Sequence, residues 1–495
     1  MRNTAVLLGA VVVLLLVNGP TVLADDKPSD WVEVRTPHFL VFSDAGEKDV
    51  RRIANQFEEI RAVFHDRFPK LRVDSGAPFV VIGAKNESSM KVFLPDYWAK
   101  AGTVHPAGVF LSPLDTYYAV VRADISNFTE NPFGVVYHEY THALMRLNFR
   151  SLPLWLNEGL AEFFGNTVIT EKDAEIGRVT VGQLREFQSA ALIPIDALVK
   201  IDATSPYYRE SDRASIFYPE SWALVHYLMS DPDALKQDLL GRFLTALDTV
   251  SDGVEAARQA FGDLSAFQAR LERYARQPTF YFVRRPFAAG SPSETPVRRL
   301  NASEALVLRA EFLQRTGHAK ETELLLAQAM EANPQLAFAH VALGYNNLSQ
   351  GRDSAAVEKE FREAIRIRDT DFRPHYYLAT LMSRQRASID GIVEEAERSV
   401  ALNSEFAPAH LLLSQAYRQL PDKANTALEH AVRAVQLEPG GFPYQLELGY
   451  ALLALKRFDQ ARAVATTLSK DALTPQAKNA VDALVKRVDD AQAAR

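Results

Sequence analysis

The sequence predicts two units of different class, an α+β domain followed by an all-α helical solenoid. Three observations predict it. Short apolar runs that read as strands fall before residue 123, helical apolar spacing takes over after about residue 132, and beyond residue 300 the pattern recurs with a period of about 34 residues. A hydrophobic content of 47% with 24% charged residues is an ordinary globular balance, which excludes a mostly disordered chain, a collagen and a polytopic membrane protein. At about 150 residues per domain, 495 residues allow about three units. Lys+Arg 55 against Asp+Glu 62 gives a net charge of -7, so no basic footprint points to nucleic acid. The chain has no cysteine. Disulfides, thiolate zinc sites, Fe–S clusters and Cys nucleophiles are excluded, and any metal must be held by His, Asp or Glu.

In chain order, Met1-Arg2-Asn3-Thr4 is short and basic, and Ala5 to Val17 is an apolar run of 13 residues, too short to span a bilayer comfortably. Asn18-Gly19-Pro20 breaks it, and Val22-Leu23-Ala24 places small residues where a signal peptidase reads. Residues 1–24 are expected to be a secretory signal. The mature protein is then expected to be exported, periplasmic or secreted, without stable membrane insertion; a disulfide-free exported chain fits a bacterial envelope. Trp31-Val32-Glu33-Val34 alternates and Phe39-Leu40-Val41-Phe42 runs apolar, both strand signals. Ile53, Phe57, Ile60 and Val63-Phe64 give residues 50–68 a helical period. Phe79 to Gly83, Val109 to Leu111 and Tyr117 to Arg122 read as further strands. Residues 28–285 form the expected first domain, and 286–300, with Gly290, Ser291, Pro292 and Ser293, the expected linker.

Residues 301–490 carry the repeats. Leu343-Gly344 and Leu448-Gly449 place a small residue in a first helix, Ala364 sits in a second helix, and Pro334 and Pro439 mark unit boundaries. This pattern resembles the tetratricopeptide repeat. The resemblance implies five stacked helix pairs, some degenerate, with a concave face suited to a peptide or a partner's helix. On this reading the repeats choose partner or substrate, and a cut near residue 290 leaves the first domain folded.

The chemistry-bearing residues lie between 138 and 162. His138-Glu139-Tyr140-Thr141-His142 puts two histidines at i and i+4, on one helix face, where both can reach one metal ion. Glu139 lies beside that face and can reach a metal-activated water without being a ligand. Asn131-Pro132 just ahead is a cap and first-turn signal. Glu158 lies 16 residues past His142, across a loop broken by Pro153, and Glu158 and Glu162 are again i and i+4. One of these two can complete the three protein ligands of a catalytic zinc site while the other orients a histidine. No phosphate-binding glycine loop and no serine-hydrolase elbow appears.

These residues resemble the gluzincin metallopeptidases, whose pattern is HExxH followed by a glutamate on the next helix; Asn157-Glu158-Gly159-Leu160-Ala161-Glu162 is similar to their second motif. The whole 31–275 segment looks like the bacterial peptidase-MA-like proteins, whose later motif is matched by Tyr218 to Leu228. The resemblance implies a zincin-like domain with one zinc ion. It makes His138, His142 and Glu158 ligands, Glu139 the general base, Glu162 the support of His138, and Asn157 a neighbour of the ligands. The gap from His142 to Glu158 is a few residues shorter than in the best-known gluzincins. No Gly-x-Met-Glu-Asn stretch precedes the motif, which points to an endopeptidase rather than an aminopeptidase. Met145 and Asn148 stand where a metzincin needs Gly and His. A tetrahedral intermediate needs a second donor opposite the metal, and no arginine lies inside the two motifs. Tyr218, followed by Pro219, is the expected donor, with His226 as its alternative. The resulting expectation is an exported zinc peptidase that acts on a peptide or protein and binds a protein partner through its repeats. The alternative is an inactive zincin-like scaffold that acts as an adaptor through those repeats.

Overall fold

The computed structural model describes residues 28–99, 106–125, 131, 133–202, 204–208, 216–250, 252–287, 295–471 and 474–494. The expected signal and Pro132 lie outside the described residues. The first part begins with β1 (Pro28–Arg35), β2 (Leu40–Ser43), α1 (Glu47–Arg67), β3 (Phe79–Ala84), α2 (Glu87–Lys91), β4 (Gly108–Leu111) and β5 (Tyr117–Arg122). Next come α3 (Gly134–Asn148), α4 (Leu154–Gly165), β6 (Val168–Ile169), β7 (Asp173–Ile176), α5 (Val181–Ser189) and α6 (Ile195–Leu198). It closes with α7 (Phe217–Ser230), α8 (Pro232–Lys236), α9 (Leu239–Thr249), α10 (Gly253–Phe261), α11 (Leu264–Ala275), β8 (Val283–Pro286) and β9 (Val297–Asn301).

Six strands form one sheet in the order β4-β5-β3-β2-β1-β9. β3 runs parallel to β2 and to β5, whereas β4, β1 and β9 pair antiparallel with their neighbours. Residues of alternate parity point to opposite faces of such a sheet. Val41, Phe79, Val81, Ala119 and Val121 pack on one face against Ile53, Phe57 and Ile60 of α1 and Val136, Tyr137 and Tyr140 of α3. Leu40, Phe42, Val80, Ile82, Tyr118 and Val120 pack on the other face. Burial on both faces is why β2 and β3 read as unbroken apolar runs rather than alternating ones.

The layer on that second face comes from Met90, Phe93 and Leu94 and from the repeats. The repeats are the pairs α12 (Ala302–Arg315) with α13 (Ala319–Ala332), α14 (Ala337–Ser349) with α15 (Ser354–Ile367), and α16 (Phe372–Arg384) with α17 (Ile389–Leu402). α18 (Ala407–Tyr417) with α19 (Ala424–Leu437) and α20 (Phe442–Ala454) with α21 (Phe458–Asp471) follow, and α22 (Pro475–Ala493) ends the array. The pairs stack as a tetratricopeptide-like solenoid. Val307, Leu308 and Phe312 of α12 and Leu325 and Leu326 of α13 share one core with the sheet.

Two expectations are corrected here. Residues 297–300, expected as linker, belong to β9, which pairs with β1 because the alternating Val297-Arg298-Arg299-Leu300 completes the sheet edge. The period is 35 residues rather than about 34. One side chain at each of 340, 375, 410 and 445 reaches a residue six positions earlier: His340 to the Pro334 carbonyl, His375 to Asp369, His410 to the Ser404 carbonyl and Gln445 to the Pro439 carbonyl. No helix among the described residues is long and apolar enough to cross a membrane.

Candidate metal centre

α3 carries His138, Glu139 and His142. Asn131 precedes the helix, and its Oδ1 accepts from the Phe133 amide at 3.0 Å while its Nδ2 donates to the Thr167 carbonyl at 2.9 Å, tying the start of α3 to the end of α4. The two helices cross closely: a Cβ on Gly165 would lie 3.2 Å from both the Gly134 carbonyl oxygen and His138 Cβ. This approach brings α4's Glu158 under the two histidines.

His138 Nε2 and His142 Nε2 are 3.2 Å apart, and each lies 3.5 Å from Glu158 Oε2. Ligands in a tetrahedron about 2.0–2.1 Å from zinc stand about 3.3–3.4 Å from one another. The three donors therefore fit one ion, with a fourth position left over. Two imidazole nitrogens and a carboxylate oxygen are also the donor chemistry of a catalytic zinc site. His138 and Glu158 are buried, 4% and 6% exposed. Burial pushes the Glu158 carboxyl up, but its bonds to the two imidazoles more than offset this and lower it to about 2, so it is anionic at neutral pH.

Behind His138, Glu162 Oε1 lies 3.3 Å from Nδ1. The other Glu162 oxygen accepts from Gln183 Nε2 at 3.4 Å. Gln183 is itself fixed. Its Oε1 accepts from the Thr180 amide at 2.9 Å and from Asn166 Nδ2 at 3.0 Å, in a capping box that starts α5. Sequence reasoning missed Gln183, although the Thr180-x-x-Gln183 spacing marks the cap that holds it. If His142 bound an ion through Nε2 it would carry its proton on Nδ1, and that buried atom has no hydrogen-bond partner among the described residues. The site thus orients His138 more firmly than His142.

Glu139, His142 and Asn157 form part of the wall of a cavity of about 390 Å³. Arg146, Phe149 and Arg150 continue that wall beyond the motif, and Phe110 and Ser112 from β4 and the β4–β5 turn and Gly440 from the α19–α20 loop complete the lining. A second cavity of about 330 Å³ shares Met145, Phe149 and Leu152 with the first and is otherwise largely apolar, with Leu156, Leu160, Leu240 and Leu244. Tyr218 is buried at 3% exposure, the second residue of α7, and is not among the described residues that line the metal-side cavity. It stands one turn before Ser221, whose carbonyl faces Gly159, the neighbour of Glu158. The structure thus brings His138, His142, Glu158 and Glu162 together, places Glu139 and Asn157 on the cavity wall, and does not bring Tyr218 to that wall.

A family model described as a protein of unknown function (DUF1570) matches residues 134–242, which span both metal motifs and α7. No curated protein matches this chain. Among solved structures, YrrB, described as a TPR protein with an unusual peptide-binding site, is 16% identical, covers 32% of this chain and 84% of its own, and has a TM-score of 0.28. A thermophilic TPR protein from Thermus thermophilus, TTC0263, is 18% identical over 39% of this chain and 100% of its own, with a TM-score of 0.29. Yeast Tom70 is 12% identical over 73% of this chain and 80% of its own, with a TM-score of 0.32.

Proposed function

We propose that this chain is an exported zinc metallopeptidase that cleaves peptide bonds within a peptide or protein and engages a protein partner through its repeats. The observation that carries this reading is the convergence of His138, His142 and Glu158, whose donor atoms all lie within 4.8 Å of one another, beside a cavity walled by Glu139. Those three residues would hold one zinc ion. When bound, zinc supplies a Lewis acid for the scissile carbonyl and makes a water acidic near neutral pH. Glu162, braced by Gln183, keeps the His138 ring turned toward the ion and raises its basicity. Glu139 takes the proton of the attacking water and returns it to the leaving amine. Asn157, on the same wall, orients the peptide or the ligand carboxylate beside it. Tyr218, buried near the start of α7, is the candidate donor to the oxyanion, a role that its variant tests. The adjoining apolar cavity accommodates a large apolar side chain next to the cleaved bond.

The solenoid favours a second reading, an adaptor that works through its repeats and keeps the His/Glu cluster only as scaffold. The repeat architecture is the better supported half of the molecule, and it is of the kind that binds protein or peptide. Metal content separates the two. Purified chain reconstituted with zinc is expected to hold about one ion, and less than about 0.2 per chain would leave the adaptor reading alone. Glu139→Gln is expected to keep the metal and lose nearly all turnover in a wild-type-against-variant proteome digestion, whereas His138→Ala and Glu158→Ala lose the metal as well. Equal digestion by wild type and Glu139→Gln would remove the proposed mechanism.

A further inference from the structure

The side of the solenoid that meets the sheet is not open, since α12 and α14 pack on the sheet itself. The β4–β5 turn enters it. Leu114 packs against the apolar cluster that α14 to α19 share. Asp115 is fully buried. Tyr377 of α16 donates its hydroxyl to Asp115 Oδ2, and Arg315 Nη2 of α12 lies 3.8 Å from Asp115 Oδ1. Burial pushes the Asp115 carboxyl up to about 6, and the Arg315 guanidinium beside it pulls it back towards the ionised form. An acidic side chain with an apolar neighbour, gripped by an arginine and a tyrosine, is how a repeat module would seat a short acidic peptide. Here the chain's own turn is the occupant. Two residues before Leu114, the same turn contributes Ser112 to the wall of the cavity that holds Glu139 and His142, and Phe110 of β4 stands beside it.

We propose that Asp115 is a positioning residue through which this side of the repeats grips the Phe110–Thr116 wall of the cleft, so that it shapes the site from within and is closed to an outside peptide. Its catalytic consequence rests on the peptidase reading; its structural core does not. The grip acts on substrate fit rather than on the metal, because Asp115 belongs to the turn and not to the ligand helices.

The test uses the full-length chain with Asp115→Asn, which keeps shape and removes charge, and Tyr377→Phe, which removes one hydroxyl and keeps the ring. Hydrogen exchange is followed in β4, β5 and their turn, with β3 as the internal reference for folding. Both variants are expected to speed exchange across residues 108–118 by about tenfold or more, leave β3 protected, and take up zinc as wild type does. With turnover established, KM is expected to rise several-fold more than kcat falls, and Asp115→Glu to recover part of the loss. Unchanged exchange across 108–118 in both variants overturns the proposal, and so does a kcat loss without a KM change. Should Asp115→Asn fail to fold, Tyr377→Phe decides alone. Absence of zinc uptake by wild type sinks the peptidase reading and leaves the exchange result standing, whereas normal zinc-dependent turnover with unchanged exchange sinks only the grip.

Discussion

Tyr218 and His226 lie on one helix, two turns apart, and their surroundings assign them different work. His226 is fully buried, and both ring nitrogens are taken. Nε2 lies 2.9 Å from the Tyr281 carbonyl, which can only accept, so Nε2 carries the proton; Nδ1 therefore accepts from the Tyr274 hydroxyl at 2.7 Å. Burial pulls the ring down to about 4, against the raising effect of the carbonyl contact, so it is neutral at pH 7. A neutral imidazole with both nitrogens engaged has no hydrogen left for a substrate oxyanion. The alternative donor is thereby set aside; it shares helix and motif with Tyr218, and its partners in the fold distinguish the two. Tyr218 meets Phe217 edge-to-face and Tyr208 at a tilt, at ring-centroid distances of 5.4 and 6.1 Å. Tyr218→Phe keeps those contacts and removes one oxygen. If the phenol meets the oxyanion, kcat falls about 100- to 1,000-fold with melting temperature and zinc content unchanged. A kcat within about threefold of wild type would make Tyr218 a packing residue.

At the scale of elements, the site depends on how closely α7 can lie on α4. A Cβ on Gly159 would stand 2.4 Å from the Ser221 carbonyl oxygen and 2.6 Å from Val225 Cγ2. A backbone oxygen cannot swing aside as a side-chain end can, so Gly159→Ala must push the helices apart and carry the adjacent Glu158 with α4. The expected cost is about 3 kcal/mol of stability, together with weaker zinc binding, read by chemical denaturation and by competition with a chelator. Gly182→Ala is the control. Its Cβ would meet only Thr180 Oγ1, at 3.7 Å, and it should be neutral or slightly stabilising. Stability loss equal in the two variants would show that α4–α7 packing does not set the site. The ligand helices were legible in the sequence because i, i+4 spacing fixes a face before any tertiary contact forms. The brace on His138 was not. Gln183 reads locally as a helix cap, and its second task depends on α5 arriving beside Glu162, 21 residues away in the chain. Arg146 and Phe149 were passed over for a similar reason. They continue the metal-bearing face of α3 past the motif, and only the rest of the lining, with Ser112 and Gly440, makes a cavity of them.

At the scale of the molecule, the strands announced that both their faces are buried, but not what buries the second one. Pro, Gly and Ser near residue 290 are a shift in composition, and such a shift reads as a domain boundary in the sequence alone. The chain instead runs on to add β9 to the sheet and to lay α12 on the sheet's second face. The solenoid also clasps the first part elsewhere: Asn403 Nδ2 donates to the Gly76 carbonyl at 2.7 Å, and Arg72 Nη1 to the Leu437 carbonyl at 2.5 Å. The expectation that a cut near residue 290 leaves a folded domain is therefore reversed. A chain ended at Phe287 loses β9 and leaves only Met90, Phe93 and Leu94 to cover Leu40, Phe42, Val80, Ile82, Tyr118 and Val120, none more than 6% exposed in the whole protein. At about 1.5–3 kcal/mol for each large apolar side chain, the exposed face forfeits on the order of 10 kcal/mol, as much as a typical domain's entire stability. That fragment is expected to be insoluble, or to bind a hydrophobic dye and lack cooperative melting, and to hold zinc weakly. A chain ended at Leu455 loses only α21 and α22, whose apolar cluster of Phe458, Leu468, Val481 and Leu484 lies apart from the sheet, and is expected to keep cooperative melting and zinc uptake. A monomeric, cooperatively melting, zinc-binding fragment ending at Phe287 would show that the sheet does not need the repeats as its second layer.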